Sequence, residues 1–229
     1  ENLREEKSHS VSLSADMYRR FGAFQCNLLL EGFYTRLNHV FVLEEIGKDE
    51  EHNAVIKERR NGQGAEVAGV TVEGKVAYLS LVQLQAGVTW QKSHYTRPEK
   101  WSKDSSVPAE KRIFRTPDWY GYFTATYSPV KPLNIALSGT YTGSMIVQHM
   151  KGYIPKDIAV TTPDFFDMNL KISYDFSLYK FITLQLNAGI QNIFNAYQRD
   201  FDQGKERDSG YIYGPSMPRS YFAGAKLMF

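Results

Sequence analysis

Histidines are the residues in this chain best suited to acid–base or metal chemistry, and their positions do not converge. The 229 residues include five of them: His9, His39, His52, His94 and His149. No two have the spacing that places metal ligands on one helical turn or one hairpin. Four fall in or near predicted loops, so we expect solvated side chains, with contact to a metal-bearing ligand as the alternative.

Known catalytic motifs are absent from the sequence: there is no G-x-S-x-G, H-E-x-x-H, P-loop or dinucleotide fingerprint. A lipase or protease would need serine, histidine and a carboxylate or amide to converge. The nearest pair is Ser144 and His149, but a separation of five residues does not align two groups on one strand face. We therefore predict that the chain is not an enzyme.

A cluster of carboxylates near the C-terminus could supply several oxygen ligands to Ca²⁺. Its members are Asp200, Asp202, Glu206 and Asp208. Three basic residues alternate with them, namely Arg199, Lys205 and Arg207. Mutual neutralisation on a solvated loop is therefore the preferred interpretation, and we predict neither a metal site nor a cofactor.

Aromatic side chains in the predicted long loops are the best candidates for ligand contact. They are Tyr95, Trp101, Tyr153, Tyr211 and Tyr213. Tyrosine and tryptophan combine a large contact area with a polar group, which suits the capture of a bulky ligand. The same rings could instead pack the loops against one another.

Composition limits the class of protein. The net charge of +2 excludes a basic nucleic-acid-binding arm, and the single Cys26 excludes a disulfide framework. The sequence has no apolar run long enough for a transmembrane helix, and its mean hydropathy is only −0.41. Transmembrane strands remain compatible with this low value, because their apolar and polar residues alternate.

Alternation of apolar and polar residues is the dominant pattern and predicts an all-β protein. About nine antiparallel strands in a meander follow from it, most of them longer than the roughly 5–6 residues usual in soluble proteins. A tilted membrane-spanning strand needs about 9–11 residues. Charges such as Glu73 and Lys171 lie mid-strand, which favours a water-filled lumen over a dry core. A soluble sandwich with one wet face is the alternative.

The polar positions of these strands are predicted to line the lumen. The strongest candidates are Gln83, Gln85, Asn169, Lys171, Gln185 and Asn187. Connections between strands alternate strictly between tight and long, as in outer-membrane barrels with short periplasmic turns and long extracellular loops. We predict long extracellular loops near 39–64, 93–112, 149–163 and 197–217.

Several motifs resemble the TonB-dependent outer-membrane receptors. The run Gly189 to Asn195 is similar to the signature of the family's penultimate strand, and the segment from Pro218 to terminal Phe229 is similar to its final strand. Weaker matches are Glu1–Ser8, Glu31–Leu37, Glu66–Val70 and Arg115–Pro117. The resemblance spans essentially the whole chain, in order.

The resemblance implies a 22-stranded barrel in the outer membrane of a Gram-negative bacterium. Nine strands with an extracellular start would then be its C-terminal part, covering residues 1–229, with the plug domain and the TonB-binding segment absent. The implied function is uptake of a scarce, bulky nutrient such as a ferric siderophore, haem or cobalamin. The implied partners are the TonB complex, through the missing N-terminal region, and the barrel-insertion machinery, through the strand ending at Phe229. No nucleic-acid partner is expected.

A self-contained small barrel, acting as a passive pore or an adhesin, is the alternative function. It predicts an even strand count and a periplasmic start, and the pattern offers neither. An extra extracellular hairpin within Val40–Arg60 would add two strands and leave the parity unchanged.

Overall fold

Fourteen strands make up the regular structure of the protein in a computed structural model that describes residues 3–49, 51–52 and 54–229. They are β1 (Lys7–Phe21), β2 (Phe24–Asn38), β3 (Phe41–Asp49), β4 (Ala54–Asn61), β5 (Ala65–Tyr78), β6 (Val82–Glu99), β7 (Glu110–Arg112), β8 (Trp119–Val130), β9 (Leu133–Thr142), β10 (Ile146–His149), β11 (Ile158–Thr161), β12 (Phe165–Tyr179), β13 (Ile182–Gln191) and β14 (Ser220–Met228). The described part of the chain has no helix that is both long and apolar enough to cross a membrane.

Nine long strands form one antiparallel sheet in the order β1-β2-β5-β6-β8-β9-β12-β13-β14, and the short β7 pairs with the C-terminal part of β6. Each long strand pairs with the long strand that follows it in the sequence, so the sheet is a meander. The predicted all-β meander of nine long strands is confirmed.

The two ends of the strands differ as the loop lengths predict. Tight turns join the strands at one end, and at the β1–β2 turn Gly22 adopts a φ of 58°, which a side chain would disfavour. Long connections join the strands at the other end of the sheet, here called the long-loop end. Two of these connections contain hairpins of their own, β3–β4 and β10–β11. The first corresponds to the extra hairpin considered within Val40–Arg60 and runs one residue further, to Asn61; the second was not predicted.

Strand register assigns every alternating residue to one of two faces. An apolar row runs across three neighbouring strands through the pairs Leu137–Ala125 and Leu170–Leu137. Many large apolar side chains on this face are exposed, including Val11 and Leu13 at the outer strand and Val88 at the centre. Exposed apolar surface on this scale is what a membrane-facing wall requires.

Candidate functional site

The opposite, polar face carries all six side chains that the sequence marks as candidates for the lumen. Register pairs Gln83 with Thr126 and Gln85 with Thr124. Farther along the sheet, Asn169 faces Ser138, and Asn187 faces Ser173. Lys171 and Gln185 occupy the same face of β12 and β13. One continuous polar surface, here called the polar wall, therefore crosses the sheet.

Hydrogen bonds connect neighbouring polar side chains on this face. The Gln85 amide donates to Glu73 Oε1 at 3.1 Å and to the Tyr122 hydroxyl oxygen at 2.8 Å. Lys75 pairs with Glu73 at 3.2 Å. Between β12 and β13, Gln185 Nε2 donates to Asp175 Oδ1 at 2.8 Å. Glu73, Lys75 and Asp175 thus have polar neighbours, as charged side chains on a wetted wall require.

Burial shows that the long loops fold over the polar face. On β6, Thr89, Gln91 and Ser93 are buried, although all three lie on the polar side of the strand. Gln91 Nε2 donates to the carbonyl oxygen of Pro117 in the β7–β8 connection. The neighbouring Trp90, on the apolar side, stays exposed. The loops therefore cover the polar face near the long-loop end and leave the apolar face open.

A small core holds the loops together. Val147 of the β10–β11 hairpin, Phe165 at the start of β12, and Tyr211 and Tyr213 of the last loop are all buried and in mutual contact. Gln198 is only 1% exposed. Its amide nitrogen donates to the Tyr211 carbonyl oxygen at 3.1 Å, and its amide oxygen accepts from the Tyr213 backbone nitrogen at 2.8 Å.

His149 belongs to this core, so the prediction of a solvated side chain is wrong for it. The residue is 6% exposed, and its ring stacks on that of Tyr211 with centroids 3.7 Å apart and planes 6° apart. Its Nε2 atom lies 2.9 Å from Asp202 Oδ2. The imidazole is thereby directed to Asp202, an arrangement different from the Ser144–His149 pairing considered for a hydrolase.

The C-terminal carboxylates organise the last loop through hydrogen bonds to its hydroxyls and backbone nitrogens. Asp200 accepts the hydroxyls of Tyr211 and Tyr213, both at 2.7 Å. Asp202 accepts from the Asp208 backbone nitrogen, and Asp208 accepts from the Met150 backbone nitrogen, at 2.9 and 2.8 Å. Among the residues that the structure describes, no group of three or more His, Cys, Asp or Glu side chains is arranged to hold a metal ion.

Two further contacts tie the β6–β8 connection to the other loops. The Ser102 hydroxyl donates to Asp157 Oδ2 of the β10–β11 connection at 2.6 Å, and both residues are buried. The Arg115 guanidinium donates to the carbonyl oxygens of Ile212 and Gly210 in the last loop. Three long loops therefore form one connected assembly, called here the loop cap.

The five candidate aromatics occupy different places in this cap. Tyr211 and Tyr213 are buried, 3% and 7% exposed, which favours the packing alternative for these two. Trp101 is half-buried, packs edge-on against Phe114 and donates its indole N–H to the carbonyl oxygen of Pro108. Tyr95 is half-buried on β6. Tyr153 is 56% exposed at the tip of the β10–β11 hairpin.

Two cavities lie along these surfaces. One of about 520 Å³ opens between the start of β12 and the last loop, lined by Phe165, Phe194, Arg199 and Asp200 among others. The second, about 380 Å³, lies on the wall near the tight turns, where Asn27, Lys75, Gln83 and Gln85 line it. Neither involves the exposed Tyr153.

Sequence reasoning missed the residues that build the cap, although one motif contained a signal. Asn192, in the run quoted for the penultimate strand, is buried with a φ of 50°, a left-handed conformation that asparagine tolerates. Its side chain bonds Ala196 and Met217 across the base of the last loop. Gln198 and Asp157 carry no such signal, because each acts through a distant partner.

Alkaline titration is expected to open the cap. Burial and the hydrogen bond to Asp200 raise the pKa of Tyr213 to about 12 and raise that of Tyr211 further. Since an exposed tyrosine has a pKa of about 10, the stabilising effect is complete below that value and is lost as the pH rises through the folded-state value.

The measurement is the absorbance of ionised tyrosine as a function of pH, compared between the full-length protein and its Tyr213→Phe variant in detergent. We expect the difference curve to have a midpoint near 12. A midpoint near 10, the ordinary value for an exposed phenol, would show that Tyr213 is not held by Asp200.

A family model described as TonB dependent receptor-like, beta-barrel, matches residues 1–193. No curated protein matches the sequence significantly.

Solved structures share the fold at low sequence identity. The ferric-catecholate import receptor Fiu from E. coli K12 is 17% identical with a TM-score of 0.63, over 99% of this chain and 28% of that one. The ferripyoverdine receptor of Pseudomonas aeruginosa is 14% identical with a TM-score of 0.65, over 99% and 27%. The FrpB iron transporter from Neisseria meningitidis is 13% identical with a TM-score of 0.61, over 98% and 31%.

The chain therefore spans less than a third of the length of these solved structures. The family match covers most of the chain, and the polar wall, the apolar outer face and the alternating loops are the features expected of such a barrel. The chain belongs to the TonB-dependent receptor β-barrel family, whose members lie in the outer membrane of Gram-negative bacteria.

Proposed function

We propose that this chain forms part of the barrel wall of a receptor that imports a scarce, bulky nutrient, with a ferric siderophore as the first candidate and haem or cobalamin as the others. The observation that carries the proposal is the loop cap folded over a continuous polar wall. A ligand held at the cap would be positioned above a wetted surface that leads across the membrane.

Within this proposal, the polar wall lines the passage. The six polar candidates on β6, β12 and β13 offer amides and one ammonium group, and these can exchange hydrogen bonds with water or a polar ligand. The half-buried Trp101 and Tyr95 and the exposed Tyr153 remain candidates for ligand contact. The long loops are proposed to be extracellular and the tight turns periplasmic.

Energy for release is proposed to come from TonB, which acts through a part of the receptor outside this chain. Insertion into the membrane is proposed to use the C-terminal segment, in which β14 is followed by Phe229; Tyr221 and Leu227 of β14 lie on the apolar face. The alternative of a small passive pore or adhesin draws no support from the strand count, because the main sheet contains nine long strands in the described part of the chain.

Radioactive uptake by living cells tests this function. Iron-limited cells carrying the full-length receptor would be given iron-55 as a ferric siderophore or as haem, and labelled cobalamin in parallel, with and without TonB. We expect one ligand to accumulate only when both receptor and TonB are present. Accumulation that does not need TonB, or the absence of uptake for all three, would contradict the proposal.

A further inference from the structure

The tight turns carry basic residues but no carboxylate side chain. The segments that form or adjoin these turns, residues 19–23, 78–81, 128–132 and 177–180, contain two arginines and two lysines and neither Asp nor Glu. These four residues, here called the turn cations, are all exposed: Arg19, Arg20, Lys131 and Lys180. The end of the sheet that carries the tight turns, here called the tight-turn end, therefore presents positive charge.

None of the turn cations forms an ion pair in the part of the chain that the structure describes. Arg19 and Arg20 donate instead to the carbonyl oxygens of Tyr18 and Gly22, at 3.5 and 3.2 Å. These bonds satisfy single donors of each guanidinium and leave its charge without a counter-ion.

The carboxylates nearest to the turns belong to the polar wall. Asp16 lies on that face by register and accepts from the Asn27 amide. Asp175 accepts from Gln185 on the same face. Both carboxylates are thus held on the polar side of the sheet, and neither neutralises a turn cation.

The opposite end of the apolar face differs, because its cations are paired. Register places Arg36 and Lys92 on this face near the long-loop end. Arg36 lies 3.6 Å from Glu66, and Lys92 forms an ion pair with Asp118. The two ends of the apolar face therefore present different charge to their surroundings.

A row of aromatic and apolar side chains borders the turn cations on the apolar face. Register links its members across five strands, from Phe21 through Phe24, Tyr78 and Val82 to Tyr127. The rings of Phe24 and Tyr78 pack with centroids 4.6 Å apart. Aromatic rings at the ends of barrel strands lie at the level of the lipid headgroups. The turn cations adjoin this row and therefore lie at the level of the lipid phosphates.

Reach and spacing determine how the cations meet lipid. Arg19 faces the apolar side one outward position before Phe21, and its long side chain can extend along the strand to the headgroups. Adjacent tight turns are two strands, about 10 Å, apart. The turn cations are therefore distributed along the rim and contact several lipid molecules rather than one.

Charge selects among the lipids at this level. The headgroup of phosphatidylglycerol has a phosphate without a compensating ammonium group, whereas zwitterionic headgroups contain both. Each lysine or arginine beside an anionic lipid surface adds about fivefold in affinity. A zwitterionic surface gives no such gain, because its net charge is zero.

We propose that the turn cations give the tight-turn end a preference for phosphatidylglycerol over zwitterionic phospholipids in the adjoining leaflet. This contact holds the tight-turn end of the wall at the headgroup level, whichever nutrient the receptor imports. Because the cations are exposed, high salt weakens the preference.

The test places one bimane fluorophore in the full-length receptor, with Cys26 replaced by serine and the introduced cysteine as the only one. Val82→Cys puts the fluorophore in the aromatic row, and Val70→Cys puts it on the same face near the long-loop end. The two valines are similarly exposed. In phosphatidylcholine vesicles, small amounts of doxyl-labelled phosphatidylglycerol or doxyl-labelled phosphatidylcholine quench the fluorescence. The ratio of the two quenching efficiencies measures the local enrichment of the anionic lipid.

Two charge-matched variants accompany the reporters. Arg19→Gln/Lys131→Gln/Lys180→Gln removes three turn cations. The control, Lys151→Gln/Lys156→Gln/Lys205→Gln, removes three exposed lysines from the long loops and changes the net charge equally. Heat-modifiable mobility on a gel identifies the folded barrel in each case, and high salt supplies a second perturbation that needs no substitution.

We expect phosphatidylglycerol to quench position 82 about threefold or more better than phosphatidylcholine, with a ratio near one at position 70. The turn variant and high salt should bring the ratio at position 82 close to one, and the control should retain it. Equal ratios at the two positions, or a ratio at position 82 that the turn variant and salt leave unchanged, would overturn the proposal.

No quenching by either lipid at both positions would overturn the proposal together with the contact between the apolar face and lipid. Nutrient uptake is measured separately in cells. Failed uptake combined with enrichment that depends on the turn cations would refute the transport function alone, whereas normal uptake without such enrichment would refute the lipid preference alone.

Discussion

Asn192→Ala in the full-length receptor is expected to release the last loop from the wall. The buried amide makes three hydrogen bonds, to the carbonyl oxygens of Ala196 and Met217 and from the Ala196 nitrogen, all 2.8–2.9 Å long. Alanine would leave these groups without partners and would also disfavour the left-handed φ of 50°. Together these effects should cost about 2–4 kcal/mol of local stability.

Trypsin cleavage measures this release, because the last loop contains Arg199, Lys205 and Arg207. We expect the variant to be cut there much faster than the native protein while its barrel remains heat-modifiable on a gel. Asn187→Ala, which removes the same side chain from the polar wall, is the control and should leave cleavage unchanged. Equal cleavage of both variants would show that Asn192 does not anchor the loop.

Leu137→Arg is expected to prevent stable insertion of the barrel. Leu137 lies on the apolar face in the middle of β9, between Ala125 and Leu170 of the adjacent strands. A charged side chain facing lipid near the midplane costs about 2–4 kcal/mol in outer-membrane barrels. The measurement is the fraction of protein that becomes heat-modifiable in the outer membrane, or its urea unfolding from vesicles.

Ser138→Arg is the matched control, one residue along the same strand. Register pairs Ser138 with Thr124 and Asn169 on the polar wall, where a charge can be hydrated. The control should insert normally. A defect of the same size in both variants would contradict the assignment of the two faces.

The strands could be predicted from the sequence because alternation is a local property. Apolar and polar positions repeat every two residues in β12, from Phe166 to Phe176, and the sheet pairs most of them with the same class of neighbour; Lys171, opposite Ala136 and Gly189, is an exception. Once each strand is long and each tight turn short, the meander order follows. The nine long strands of the main sheet are therefore a direct consequence of the residue pattern.

The loop cap could not be predicted because its contacts join residues far apart in the chain. His149 reaches Asp202 across 53 residues, and Ser102 reaches Asp157 across 55. Of these residues, His149 and Asp202 were expected to be solvated because they lie in predicted loops, and Ser102 and Asp157 were not singled out. Their burial depends on three loops folding toward the same face, and no local pattern encodes that choice.

Carboxylates in the last loop illustrate the same limit. Acidic and basic residues alternate there, which suggested that they neutralise one another. In the structure, Asp200 and Asp208 accept hydrogen bonds from tyrosine hydroxyls and backbone nitrogens instead. Backbone donors are not distinguished by residue type, so the sequence contains no record of them.

One face of this sheet is proposed to line a water-filled passage and the other to meet lipid. Spin labels placed singly at Asn169, Leu170, Lys171 and Ile172 of the full-length receptor, with Cys26 replaced by serine, test it most directly in native-like vesicles. We expect labels at 169 and 171 to be accessible to a water-soluble relaxation agent, and labels at 170 and 172 to oxygen dissolved in lipid. Uniform accessibility at the four positions, or the reverse alternation, would contradict the account.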